Sequence, residues 1–276
     1  MSNQLKIESV TTLDLPGLQP YRTLRRPVEH MRSGIFIAEG EKVVRRLLAS
    51  GLPIDSFLLT PEWLESLTTE LDAYSTTMPT IFLAERSILE QIVGITLHQG
   101  IMAQARVPVE KPFDEVIGNL PSPHFIVALD GLANSENVGA VVRNCAAFGV
   151  DAIIVGETSS SPYLRRAVRN SMGTVFKMRV AHVQDLALTL QSLHSSHETR
   201  VIAAHAHEQV TIGESKLAGN ICIVLGSEGD GISERVLDTS SDRVMIPMMN
   251  DTDSLNVASA SAVFLYEAQK QRSLLK

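Results

Sequence analysis

Five polar residues stand where apolar runs stop. Asn137 and Arg143 follow FIVAL (125–129), Glu228 lies in the turn after ICIVL (221–225), and Ser254 and Asn256 follow RVMIP (243–247). An arginine is a permanent cation with a planar fork of donors, fit to clamp a phosphate or steady a developing oxyanion. A carboxylate accepts hydrogen bonds, and an asparagine both gives and accepts them. Each residue has a second reading. Arg143 falls about one and a half helical turns beyond Asn137, and helix geometry alone favours a surface charge in an ion pair. Glu228 either orients a ligand hydroxyl or bonds the amides of its own turn.

That turn, LGSEGDGIS, carries Gly226, Gly229 and Gly231, three glycines in six residues. Backbone groups are thereby free to face a ligand. No Gly-Lys-Ser/Thr follows, so it is not a P-loop, and its order is GxxGxG, not GxGxxG. An ordinary turn and a binding loop both fit it. Ser254 reads as the N-cap of a helix starting near Leu255. The run ASASA (258–262) then lets another backbone pack close.

These residues need elements to hold them. From residue 125 onward FIVAL, AIIV (152–155), RVIAAHA (200–206), ICIVL and RVMIP are short β-rich runs separated by helix-like stretches. That rhythm predicts a largely parallel sheet covered on both faces, whose ligands bind at the carboxyl ends of strands. Residues 33–110 alternate in the same way. FIAEG (36–40) reads as a strand, EKVVRRLLAS (41–50) as a helix, IDSFLLT (54–60) as a strand and PEWLESLTTEL (61–71) as a helix; TIFLA (80–84) and ITLHQGIMAQAR (95–106) continue the pattern. Between the two regions, residues 107–124 hold four prolines and read as a linker containing at most a short helix. The division expected is 1–107, a linker at 108–122, and 123–276.

Composition bounds the function. The 276 residues are 44% hydrophobic and 20% charged, which suits a folded protein. No apolar run reaches the ~18 residues of a membrane span. The N-terminus lacks a basic-then-apolar leader, so a soluble, cytoplasmic protein is expected. Cys145 and Cys222 sit alone in apolar runs and read as buried thiols. His205 and His207 would share a strand face, but two ligands make no zinc site, so no metal is expected. The net charge of −7 speaks against nucleic acid, yet residues 22–46 hold seven Lys/Arg against three acids. Residues 161–180 hold Arg165, Arg166, Arg169, Lys177 and Arg179 with no acid. Such patches fit RNA phosphates or an ordinary solvated surface.

Three segments taken together resemble motifs 1, 2 and 3 of the SPOUT superfamily, most closely its SpoU-type RNA 2′-O-ribose methyltransferases. They are Asn137-Val-Gly-Ala-Val-Val-Arg143, Gly226-Ser-Glu-Gly-Asp-Gly231 and Ile246-Pro-Met…Ser254-Leu-Asn-Val-Ala258. The stretch from Arg169 to Phe176 is similar to the family segment between motifs 1 and 2. Phe36-Ile-Ala-Glu39-Gly40 resembles the family's N-terminal substrate domain. Many members have Asp-Pro where this chain has Asn134-Ser135.

The resemblance implies an α/β fold: a C-terminal trefoil-knot methyltransferase domain with a mostly parallel sheet, and a smaller ribosomal-protein-like α/β domain that holds RNA. It implies S-adenosylmethionine as cofactor, held by backbone groups around Leu225, Gly226, Gly229, Ile246, Met248, Ser254 and Leu255. It implies a homodimer acting on RNA, rRNA before tRNA. In the reaction it implies, a ribose 2′-hydroxyl takes the methyl group. Arg143 matches the catalytic arginine. A guanidinium stays protonated, so clamping the adjacent phosphate and developing oxyanion suits it better than acting as base. Asn137 would orient Arg143 or the ribose, Glu228 would hold Arg143 or the substrate, and Ser254 and Asn256 would position the reacting groups. Arg22, Arg25, Arg26, Arg32, Arg165, Arg166 and Arg169 would meet RNA phosphates. The alternatives are a base-methylating SPOUT enzyme and an RNA-binding or ribosome-assembly protein without turnover.

Overall fold

Apolar β-branched runs become strands and the mixed stretches between them become helices. The computed structural model describes residues 6–12, 14–94, 99–206, 208–250 and 252–274. Residues 95–98 of the ITLHQGIMAQAR run, and His207, lie outside them. Contacts divide the chain into two units, Met1–Val109 with Tyr163–Lys177, and Glu110–Pro162 with Met178–Lys276.

In the first unit five strands form one sheet: β1 (Lys6–Ser9), β2 (Ile35–Glu39), β3 (Ile54–Leu59), β4 (Thr80–Leu83) and β5 (Ile101–Arg106). Their order is β1-β4-β3-β5-β2. β1, β4 and β3 run parallel, and β5 is antiparallel to both β3 and β2. The helix Glu41–Leu48 buries Val43, Val44, Leu47 and Leu48, the stripe expected from a 3.6-residue period. The single helix expected over 61–71 is two, Pro61–Ser66 and Thr68–Ala73. Thr68 Oγ1 donates back to Leu64 O and Glu65 O, at 3.2 and 2.9 Å, where the break occurs.

The second unit holds β6 (Phe125–Leu129), β7 (Ala152–Val155), β8 (Arg179–His182), β9 (Arg200–Ala204), β10 (Ile221–Leu225) and β11 (Asp242–Val244). They form one parallel sheet in the order β11-β9-β10-β6-β7-β8. β6, β7 and β10 are buried at every position, as strands covered on both faces must be. The order reverses between β6 and β10, and Leu129 and Leu225 are in register at their carboxyl ends. Chains leaving there diverge and open a crevice, the usual ligand position in such sheets.

β11 and β8 depart from the expectations, and the short helix allowed for in the proline-rich stretch forms. β11 ends at Val244, short of the 243–247 run, because Met245 pairs instead with the segment 210–212. β8 carries too few apolar residues to stand out in the sequence. The proline-rich stretch contains the helix Phe113–Gly118, whose Val116 and Ile117 are buried in the second unit.

The C-terminal helix Val257–Ser273 lies against the helix Ser135–Ala147. Its far end is tied down by Arg272, which donates to Gly219 O and Pro123 O and stacks 5.3 Å from the Phe125 ring centroid.

Candidate functional site

All three motif segments leave the carboxyl edge of the second unit's sheet. After β6 the chain turns through Gly131 into the helix Ser135–Ala147. Asn134 caps that helix, accepting from the Glu136 N–H at 2.9 Å. Asn134 thus meets the need for a cap at this helix start. Ser159 braces the loop, accepting from Leu132 N–H at 3.1 Å and donating to Leu129 O at 3.0 Å. Nothing in its sequence context marked that role.

After β10 the turn Ser227–Gly231 closes on itself, Ser227 N–H to Gly231 O at 2.8 Å and Gly231 N–H to Ser227 O at 3.2 Å. A Cβ on Gly226 would sit 2.3 Å from the Gly231 carbonyl carbon, so only glycine fits. Gly231 has φ +72°, again a glycine conformation. The turn therefore projects Glu228 outward.

The Glu228 carboxylate is where the segments meet. Its Oε1 accepts from Asn137 Nδ2 and, at 2.8 Å, from Asn256 Nδ2. Asn256 Nδ2 is also 3.4 Å from Asn137 Oδ1. The other face of Asn256 caps the C-terminal helix, accepting from Ala258 N–H at 2.9 Å. That corrects the expectation for Ser254: the helix begins at Val257, Asn256 is its N-cap, and Ser254 is exposed in the preceding loop.

Arg143 stands apart from this cluster, on the solvent-facing side that helix geometry alone favoured. It is not held by Glu228 or oriented by Asn137, which bond to each other. It lies on the solvent stripe Glu136–Ala140–Arg143–Ala147 and makes no hydrogen bond or ion pair to a described residue. Its neighbour Asn144, which sequence reasoning left without a role, donates to Ala258 O at 2.8 Å and Ser261 Oγ at 2.9 Å.

Two clefts flank the glycine turn. One, of about 320 Å³, is lined by the ends of β9, β10 and β11 and by the C-terminal helix. Leu225, Gly226, Gly229 and Glu228 line it from the turn. Ile246, Met248, Ser254 and Leu255 line it from the segment after β11. The second, of about 550 Å³, runs between the loop 130–137 and the same turn, with Asn137 and Glu228 in its wall. Glu228 faces both. The first cleft is at the small end of ligand-site volumes and mostly apolar, with the backbone of the glycine turn and the Glu228 and Ser254 side chains as its polar rim. These are the features an adenosyl group requires, so the residues present fit the cofactor. Among the described residues no group of three His, Cys, Asp or Glu could hold a metal ion.

Burial raises the thiol pKa of Cys145 and Cys222, so both stay protonated and take no part in chemistry.

In the first unit, Arg22, Arg25, Arg26, Arg32, Arg166 and Arg169 are exposed. Arg22 meets Asp14 at 3.2 Å and Arg26 meets Glu29 at 3.2 Å, both in solvent. Arg165 differs: its side chain is 17% exposed, and its Nη1 is 2.6 Å from Oε2 of the buried Glu39. Arg169 lies 3.8 Å from the same carboxylate. Glu39 of the FIAEG run therefore anchors the helix Arg165–Asn170, and Arg165 serves that anchor before any phosphate. The segment before β2 is pinned by His30, whose Nε2 is 2.9 Å from Thr23 Oγ1.

Comparison with known proteins agrees with this geometry. The profile of the SpoU rRNA Methylase family matches residues 124–266, and one described as RNA 2′-O ribose methyltransferase substrate binding matches residues 37–108. A Mycobacterium bovis protein described as an uncharacterized tRNA/rRNA methyltransferase is 32% identical over 271 residues, 95% of this chain and 92% of its own length. A Vibrio vulnificus 23S rRNA (guanosine-2′-O-)-methyltransferase is 33% identical over 178 residues, 63% of this chain and 71% of its own. The crystal structure of an AdoMet-bound rRNA methyltransferase from Sinorhizobium meliloti superposes with TM-score 0.80 at 22% identity, covering 96% of this chain and 98% of that one.

Proposed function

This chain belongs to the SpoU rRNA methylase family and is an RNA methyltransferase; from that premise we propose that it methylates a ribose 2′-hydroxyl in structured RNA, rRNA before tRNA. The observation that carries the reading is the meeting of Asn137 and Asn256 on Glu228, the side chain that lines both clefts. A methyl donor in the smaller cleft and a nucleoside in the larger would face each other across it. The 23S rRNA relatives make large-subunit RNA the first substrate to offer and guanosine the first nucleotide to inspect.

S-adenosylmethionine, when bound, supplies a methyl group on a positively charged sulfur. The chain's residues bring the hydroxyl to it. Glu228 Oε1 is occupied by two amides, which fix the carboxylate plane and leave Oε2 to accept the hydrogen bond of the 2′-hydroxyl. The hydroxyl oxygen would take that methyl group as the thioether leaves, and its proton would pass to the Glu228 carboxylate or to water. Arg143 holds the neighbouring phosphate and offsets negative charge growing on the oxygen. The first unit, Met1–Val109 with Tyr163–Lys177 and not residues 1–107 alone, serves as the RNA-holding domain, and the second, which takes in most of the expected linker, as the catalytic domain. The exposed arginines of residues 22–32 and Arg166 and Arg169 supply phosphate contacts, which need no sequence specificity.

The working form is a homodimer. The outer stripes of two packed helices, half-buried Ala140 and exposed Ala147 on one and exposed Val263 and Tyr266 on the other, make a small-residue and apolar face bordered by Arg143. Tyr266 is 57% exposed, and a second copy would cover it. No helix among the described residues is long and apolar enough to cross a membrane, and the enzyme works beside its RNA in the cytoplasm.

Transfer of labelled methyl from S-adenosylmethionine to unmodified rRNA and tRNA tests the reading. Label recovered as a 2′-O-methylnucleoside, and lost in Arg143→Ala, is expected. Label on a base would overturn the ribose assignment, and no transfer with bound cofactor would favour a binding protein.

A further inference from the structure

We propose that a cleft in the first unit takes one unpaired nucleotide of the RNA, its base against Met172 and its phosphate between Lys42 and Arg169. The proposal rests on the RNA-methylation reading above and adds to it a second RNA site, one that holds a base and does no chemistry.

The cleft, of about 340 Å³, is walled by the first unit alone, by residues 39–43 and 99–101 with Arg169 and Met172. That is the small end of ligand-site volumes, room for one nucleotide and not for a duplex. Two carboxylates line it, and each is engaged by an arginine outside the lining. Glu39 Oε2 is 2.6 Å from Arg165 Nη1, and Glu41 Oε1 is 3.1 Å from Arg45 Nε. Two cations line it and are not matched in this way. The Lys42 ammonium is exposed and bonds no described residue, and Arg169 pairs only loosely, 3.8 Å from Glu39 Oε1. The cleft therefore carries surplus positive charge, which suits a phosphate. Arg169 also belongs to the acid-free stretch 161–180, so the cleft opens on the basic surface assigned to RNA.

The helix Glu41–Leu48 starts here, but its first amide is already taken: Gln99 Oε1 accepts the Glu41 N–H at 2.7 Å. That bond fixes which way the Gln99 amide faces. Its Nε2 bonds no described residue and is left as a donor for a base edge. Met172 supplies the apolar contact. It is half-buried in the cleft wall with φ +54°, a left-handed conformation that a side chain of this size rarely adopts. Arg46 Nη1 holds it there, donating to Met172 O at 2.6 Å. Strain kept in the wall of a cleft points to a position held for a ligand, and a thioether packs well on an aromatic ring. Unpaired RNA bases are bound in this manner, one face packed and one edge hydrogen-bonded.

Binding of the full chain to unmodified 23S rRNA over a range of salt tests this. Lys42→Ala should weaken binding about 3-fold and lower the slope of log affinity against log salt by about one phosphate contact. Met172→Ala should weaken it about 5-fold with the slope unchanged, because a base contact releases no counterion. Met172→Leu, which keeps the apolar contact, should bind as the unaltered chain does. All three should bind S-adenosylhomocysteine normally, since the second unit is untouched. A weaker Lys42→Ala beside an unchanged Met172→Ala would reduce the cleft to a phosphate contact and overturn the base site. Unchanged affinity in both would overturn the whole assignment. If Met172→Ala lowers the melting temperature, Met172→Gly decides, since glycine is at ease at φ +54°. Failure of the unaltered chain to bind this RNA would instead defeat the rRNA reading, and the proposal with it.

Discussion

Asn144 Nδ2 lies 2.9 Å from Ser261 Oγ, joining the helix after β6 to the C-terminal helix over 117 residues of chain. Ser261 is fully buried and its hydroxyl donates to Ala258 O at 2.7 Å, so removing the amide takes one donor each from that buried hydroxyl and from the Ala258 carbonyl. Asn144→Ala should cost about 1–3 kcal/mol of stability, read as a lower urea midpoint. Ser261→Ala, which deletes the other partner, should not add its full cost in the double variant. Full additivity would mean that the two side chains act independently.

Asn256 has two duties, capping a helix with Oδ1 and holding Glu228 with Nδ2. Asn256→Asp keeps the cap acceptor but sets a second carboxylate against Glu228. We expect stability near that of the unaltered chain and methyl transfer reduced about 10-fold or more. Asn256→Ala should lose transfer and about 1 kcal/mol besides. Equal activity in all three forms would remove Asn256 from the site.

At Gly226 the obstacle is backbone. A methyl there would meet the Gly231 carbonyl carbon at 2.3 Å, and no rotamer relieves it. Gly226→Ala should destabilise the chain by about 1–3 kcal/mol and weaken S-adenosylhomocysteine binding, because the turn must open to admit it. By contrast a Cβ at Gly229 meets nothing within 4 Å. Gly229→Ala should melt normally, so any loss of binding in that variant reports on the ligand side of the turn.

His124 carries a pH prediction. Its ring is buried with Nε2 2.7 Å from Thr199 Oγ1, and desolvation first, then the His197 charge, lower its pKa below the ordinary 6.5. Arg272 pushes the same way, while Asp151 opposes. The unfolded chain therefore takes up the proton first as pH drops. The stability this group contributes should be complete above about pH 6.5 and be lost as pH falls toward the folded value. Urea midpoints from pH 8 to 5 should fall, and His124→Gln should flatten that part of the curve. An unchanged slope would shift the cause to His30 and His182, also lowered chiefly by burial.

Much of the molecule was legible in the sequence because its signals are local. FIVAL, AIIV and ICIVL are strands at the residues read, since runs of that length and composition bury on both faces whatever their neighbours. The helix read over 41–50 forms as Glu41–Leu48, two residues shorter, because its stripe repeats every 3.6 residues only as far as Leu48. The glycines of the turn after β10 marked a place where backbone crowds backbone, and the clash at Gly226 is that crowding. The motif residues Asn137, Glu228 and Asn256 were named from the same local signals.

Their partners were not. A hydrogen bond spanning 91 residues, from Asn137 to Glu228, depends on β10 inserting beside β6, and no periodicity encodes which strands are neighbours. Helix spacing put Arg143 near Asn137 and left Glu228 a choice between Arg143 and the substrate, and the folded chain gives its Oε1 two amides. Glu39 read as part of a strand-end motif, and only packing revealed that it neutralises Arg165 and takes that residue out of the exposed patch. Sequence by itself determined the elements and the chemical groups they carry, because propensity and burial periodicity act over a few residues. Tertiary structure decided which groups share a carboxylate, which face a cleft and which face water, because those outcomes depend on strand order and on the low-dielectric contacts it creates.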